Sequence, residues 1–159
     1  MAKGEDMTED WLGLAGRTAI VTGAAGGLGR AIAGSFVAAG AAVALLDRDG
    51  AGAAALAREL SGGGGAFAWE CDVADARSVA RAVAAARDAL GPADILVNNA
   101  GLLRPGPLAD LPLAEWNALL AVNLTGYLLC AQAARPGMLA RGGGAIVHIA
   151  SIAATNPQP

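Results

Sequence analysis

A chain of 159 residues has room for one globular domain or for part of a larger one. With 55% hydrophobic and 16% charged residues it is not disordered, and its 23 glycines, about twice the usual share and without a three-residue period, exclude collagen and point to tight backbone turns. A net charge of −3 leaves no basic stripe for nucleic acid, and two cysteines, Cys71 and Cys130, form neither a C-x-x-C pair nor a disulfide framework.

Residues 1–11 read as a polar, acid-rich leader without the apolar segment of a secretory signal. With reduced cysteines, this gives the expectation of a cytoplasmic protein. The uncharged run 31–46 contains Gly34, Ser35 and Gly40 and falls short of the roughly 18 to 20 apolar residues that span a bilayer, so no membrane is expected as a partner. Residues 17–22 form a short β-branched run that ends in glycines, and 29–39 carry apolar residues at helical spacing. Gly40 ends that helix, 41–46 read as a buried strand, and 49–60 return to a helix stopped by the serine and glycine run 61–65. A third strand is expected at 66–70. Asp75 suits the N-cap of a helix running to about Leu90, which Gly91-Pro92 stops before a fourth strand at 94–97. A long helix is expected from Leu113 to about Ala134, with Pro136-Gly137 disturbing its end, a turn at 142–144 and a fifth strand at 145–150.

Strands that are apolar almost throughout, alternating with helices, predict a parallel sheet buried on both faces, a doubly wound α/β fold. The long helix is apolar nearly all round and needs cover beyond the sheet, from further chain or a partner subunit. The fifth strand is expected to leave an apolar edge.

Ligands of such sheets bind beyond the carboxyl ends of the strands. Those ends hold Thr22-Gly23, Asp47, Asp72, the run Asn98-Asn99-Ala100-Gly101, and Ser151. The first turn, from Thr22 through Gly23, Gly26, Gly27 and Leu28 to Gly29, has a T-G-x-x-x-G-x-G arrangement. Its glycines let backbone approach a pyrophosphate at the N-terminus of the following helix. No Lys-Ser or Lys-Thr follows, so the triphosphatase pattern is absent. Asp47 lies 24 positions after Gly23, near the roughly 20 expected for a carboxylate that accepts from the adenosine ribose. It favours NAD over NADP, although the guanidinium of Arg48 could pair with a 2′-phosphate.

These residues, with Cys71-Asp72-Val73, the run D-I-L-V-N-N-A-G at 94–101, Val122-Asn123-Leu124 and the segment 146–151, resemble the amino-terminal part of the short-chain dehydrogenase/reductase family. The resemblance covers residues 12–151 in family order. It implies a Rossmann-like domain over 12–159, incomplete after the fifth strand, and a homo-oligomeric parent. It also implies roles: Asp72 and Val73 at the adenine, with Asn99, Ala100 and Gly101 bordering the ribose and holding the sheet. Val122 would join the cofactor-binding set, Asn123 would be the asparagine of the catalytic set, and Ser151 the serine that bonds the substrate oxygen. No metal is implied. His148, the only histidine, alternates onto the face of Ile146 and Ala150 and reads as structural. Tyr127, the only tyrosine, has Ala131 where the family lysine would stand, so it is not the acid/base tyrosine.

The family's Y-x-x-x-K motif, which follows the fifth strand, is absent, since no Tyr or Lys comes after Ser151. The expectation is therefore an NAD-dependent oxidoreductase moving a hydride between nicotinamide and a secondary alcohol or ketone in a longer parent, with the 159-residue chain itself inactive. The alternative is a non-catalytic dinucleotide-binding or interaction module.

Overall fold

A computed structural model describes residues 12–61 and 65–151. The leader, Trp11, residues 62–64 of the glycine run and residues 152–159 lie outside them. The elements in order are β1 (Thr18–Thr22), α1 (Gly27–Ala38), β2 (Ala42–Asp47), α2 (Gly50–Glu59), β3 (Ala66–Glu70), α3 (Ala76–Leu90), β4 (Ile95–Asn98), a 3-10 turn (Leu108–Asp110), α4 (Leu113–Leu120), a π turn (Ala121–Thr125), α5 (Gly126–Ala140) and β5 (Ala145–His148). The five strands form one sheet in the order β3-β2-β1-β4-β5, and every pair is parallel.

Alternation along the strands divides the core into two layers. Ile20, Ala44, Leu46 and Leu96 face α3 and α5, where they meet Val79, Val83, Cys130 and Met138. Their neighbours Val21, Val43, Leu45 and Val97 face α1 and α2, against Ala33, Val37 and Leu56. Burying each such aliphatic side chain contributes about 1.5–3 kcal/mol, which explains why the apolar runs become strands although alanine dominates the helices. The caps follow the sequence: Asp49 accepts from the Gly52 amide at 2.9 Å, and Asp75 from the Arg77 amide at 2.8 Å.

Two expectations are corrected. The helix begun at Leu113 does not end near Ala134 but runs through Pro136 to Ala140. Pro136 is on the exposed side, while Met138, two residues later, is buried against the sheet, and that burial outweighs the proline's missing N–H. The expectation that no membrane is a partner rested on the run 31–46, but the longer helical stretch Leu113–Ala140 is by length and composition apolar enough to cross one. Gly126, Cys130, Ala134 and Met138, spaced by four, instead lay one stripe of it on the domain. Much of its other apolar surface is open: Leu113, Leu124 and Leu128 are exposed, and so is every residue of β5 at the sheet edge.

Candidate functional site

The strand order reverses between β1 and β4, where successive connections leave in opposite directions and a crevice opens at the carboxyl ends. The glycine turn after β1 and the segment 98–101 after β4 face each other across it. Thr22 and Asn99 bind the two together. The Asn99 and Ala100 amides both donate to Thr22 Oγ1 at 3.0 Å, and Asn99 Nδ2 donates to the Thr22 and Gly23 carbonyls at 2.9 and 3.1 Å.

The glycines divide by what surrounds them. Gly23 has φ +63°, and a Cβ there would meet Ala100 Cα at 2.8 Å; a Cβ on Gly29 would overlap the Gly23 carbonyl. These two serve the packing of turn against sheet. A Cβ on Gly27 would meet nothing within 4 Å, and Gly26, Gly27 and Leu28 are exposed on the crevice side of the turn. Gly27 opens α1, so its amide and those that follow lack intrahelical acceptors and carry the positive end of the helix dipole. This is an anion cradle with room for a phosphate.

Asp47 ends β2 beside that turn. One of its oxygens accepts from the Ala25 amide and the other from the Asp49 amide, each at 2.9 Å. A carboxylate has about four lone-pair sites, so two acceptor positions remain for ribose hydroxyls. Arg48 is exposed next to it. The donor set and the open cradle fit a dinucleotide.

Asp72, exposed, accepts from the Ala74 amide at 2.9 Å and shapes the turn into α3. The Val73 side chain is buried against Gly126 in the α3/α5 layer. Val122 also packs against that layer. Gly101 is exposed and lies near Asn123.

Asn123 sits in the π turn and is exposed rather than buried. Its Oδ1 accepts from the Leu102 amide at 2.8 Å and its Nδ2 donates to the Leu102 carbonyl at 2.9 Å. It thus clamps the start of the loop that leaves β4, a π turn being a common device at functional positions. Ser151 follows β5, two residues beyond Ile149, whose amide donates to the Asn98 carbonyl at 2.9 Å. Among the described residues no group of three His, Cys, Asp or Glu gathers as a metal site. The thiols are poor nucleophiles: burial first, then neighbouring charge, pushes Cys71 up to about 11 and Cys130 up to about 12.

Sequence reasoning set Tyr127 aside as non-catalytic and left Asn98 without a role. Both make contacts at the end of β5. Alternation places Asn98 with Leu96 on the α5 face, which was the available signal.

A family profile described as short chain dehydrogenase matches residues 17–159. Among curated relatives, the D-threitol dehydrogenase of Mycolicibacterium smegmatis is 46% identical over 98% of this chain and 60% of its own length. The sorbitol dehydrogenase of Cereibacter sphaeroides is 42% identical over 87% of this chain and 54% of its own. The inactive 2-(S)-hydroxypropyl-CoM dehydrogenase 2 of Xanthobacter autotrophicus is 47% identical over 74% and 50%. The chain spans about half to three fifths of the length of these relatives.

Proposed function

The chain belongs to the short chain dehydrogenase family, and we propose that it is the cofactor-binding and serine-bearing part of an NAD-dependent oxidoreductase acting on a small polyol. The observation that carries this reading is the pairing of Asp47 with the glycine turn: a carboxylate bonded to the Ala25 amide, with acceptor capacity to spare, beside a helix N-terminus open at Gly27.

In this reading the amides of Gly27, Leu28 and Gly29 receive the pyrophosphate, and Asp47 accepts from the adenosine ribose hydroxyls. Asp72 and the Val73 backbone border the adenine, while Ala100, Gly101 and Val122 border the ribose next to the nicotinamide. The bound nicotinamide supplies a hydride acceptor or donor. Ser151 donates a hydrogen bond to the substrate oxygen, and Asn123 fixes the loop at Leu102 that walls the crevice. The tyrosine and lysine that exchange the hydroxyl proton are proposed to follow residue 159. A cytoplasmic location and a homo-oligomeric parent belong to the same proposal. Small polyols are favoured because two relatives of high identity are named for threitol and sorbitol.

A second reading, a non-catalytic dinucleotide-binding module, is favoured by the relative named inactive. Calorimetric titration of NAD and NADP into the full-length protein tests what both readings share. NAD should bind about tenfold or more tightly than NADP, and Asp47→Ala should remove that preference by deleting a charged acceptor. Equal affinities in the unaltered protein, or a variant that keeps its preference, contradict the assignment of Asp47.

A further inference from the structure

The carboxyl end of β5 is held by a cluster that the cofactor rim does not use. The Tyr127 hydroxyl, on α5, donates to the Ile149 carbonyl at 2.9 Å. Its ring lies parallel to the His148 imidazole, with centroids 5.2 Å apart and planes 10° from each other. Asn98 Nδ2, fully buried on β4, reaches the Tyr127 carbonyl at 3.3 Å and His148 Nδ1 at 3.1 Å. A carbonyl oxygen only accepts, so the amide nitrogen must be the atom on that side, and its second hydrogen is left for Nδ1. The Ile149 amide is held in turn by the Asn98 carbonyl. Both backbone polar groups of Ile149 are thus fixed two residues before Ser151.

We propose that Tyr127, supported by His148 and Asn98, is a positioning residue that fixes where the chain leaves β5 and so where the Ser151 hydroxyl meets its substrate. The proposal rests on the function proposed above for Ser151. The strand needs such a holder: it has four residues, all exposed, and β4 is its one strand neighbour among the described residues. Tyr127 is no acid/base group, because its hydroxyl is spent on a backbone carbonyl. Burial also raises its phenol above the ordinary range and keeps it a donor.

The test compares full-length protein with its Tyr127→Phe variant, which keeps the stacked ring and deletes the hydroxyl. Two measurements are made: hydrogen–deuterium exchange over residues 145–151, and steady-state kinetics with NAD and a polyol. Exchange at residues 149–151 should quicken about fivefold or more, as expected for one lost hydrogen bond. The kcat should fall about tenfold through misplacement of the serine, with NAD affinity unchanged within about twofold. His148→Ala, which removes the stack and the Nδ1 acceptor together, should change both readouts in the same direction. Unchanged exchange overturns the proposal, as does a kcat loss matched by an equal loss of NAD affinity. If the unaltered protein turns over no polyol, the function proposed for it falls, and exchange alone then decides the role of Tyr127.

Discussion

Two glycines six positions apart in sequence occur in one turn for the same reason, and a third between them for another. Gly23 and Gly29 face backbone: an added Cβ on Gly29 would overlap the Gly23 carbonyl and approach Asn99 Nδ2 to 2.8 Å. Neither neighbour can move without breaking the bonds that join β1 to β4. Gly29→Ala should therefore destabilise the fold by about 1–3 kcal/mol, the cost of overpacking, and lower the thermal midpoint. Gly27→Ala places its methyl in open space, so stability should stay within about 1 kcal/mol. NAD affinity should nevertheless fall about tenfold as the methyl enters the phosphate cradle. Thermal melts and NAD titrations on the two variants separate the roles, and the reverse pattern would refute this division. The sequence motif marks all these glycines alike; only their surroundings tell which serve packing and which serve the ligand.

Among elements, what was legible followed from burial. β3 and the Asp75-capped start of α3 fall where the apolar run and the cap residue place them, because a short apolar run between turns and an N-cap are local signals, even though β3 is a part-exposed edge strand. The π turn at Ala121–Thr125 was not legible, since one extra residue per turn barely disturbs a helix that is apolar on most sides. Neither was the passage of α5 through Pro136, which depends on Met138 finding the sheet. The long-range latch at the opposite end of the sheet was equally hidden. Asp94, just before β4, accepts from the Thr18 amide at 2.8 Å with one oxygen, and from Arg17 and Arg141 at 3.1 and 3.0 Å with the other. It joins the starts of β1 and β4 to the end of α5. The arginines are partly exposed and screened by solvent, so they contribute less; the buried Thr18 amide is the costly partner to orphan. Asp94→Ala should lower unfolding free energy by about 2 kcal/mol in urea titration. NAD affinity should be unchanged, because the cradle lies at the other end of the strands. A loss of affinity without a loss of stability would contradict the latch.

At the scale of the whole molecule, a parallel sheet has polarity, and this chain uses its two ends differently. One end carries the ion-paired latch. The other gathers the glycine turn, Asp47, Asp72, Asn99 and Ser151, contributed by all five strands and the connections that follow them. That gathering was legible in the sequence, because each residue lies at or just after the end of a predicted strand. The partners of these side chains were not, since Asn99 to Thr22 and Asn123 to Leu102 are tertiary contacts. Leu113, Leu124 and Leu128 and all four residues of the edge strand β5 are exposed. We propose that this rim serves hydride transfer from a polyol to NAD. The most direct measurement is the initial rate of nicotinamide reduction by the full-length protein with threitol and sorbitol, alongside Ser151→Ala. Turnover with NAD should fall about a hundredfold or more in the variant, as for loss of a donor to the reacting oxygen. NAD binding without turnover of any polyol, or an undiminished rate in Ser151→Ala, would contradict it.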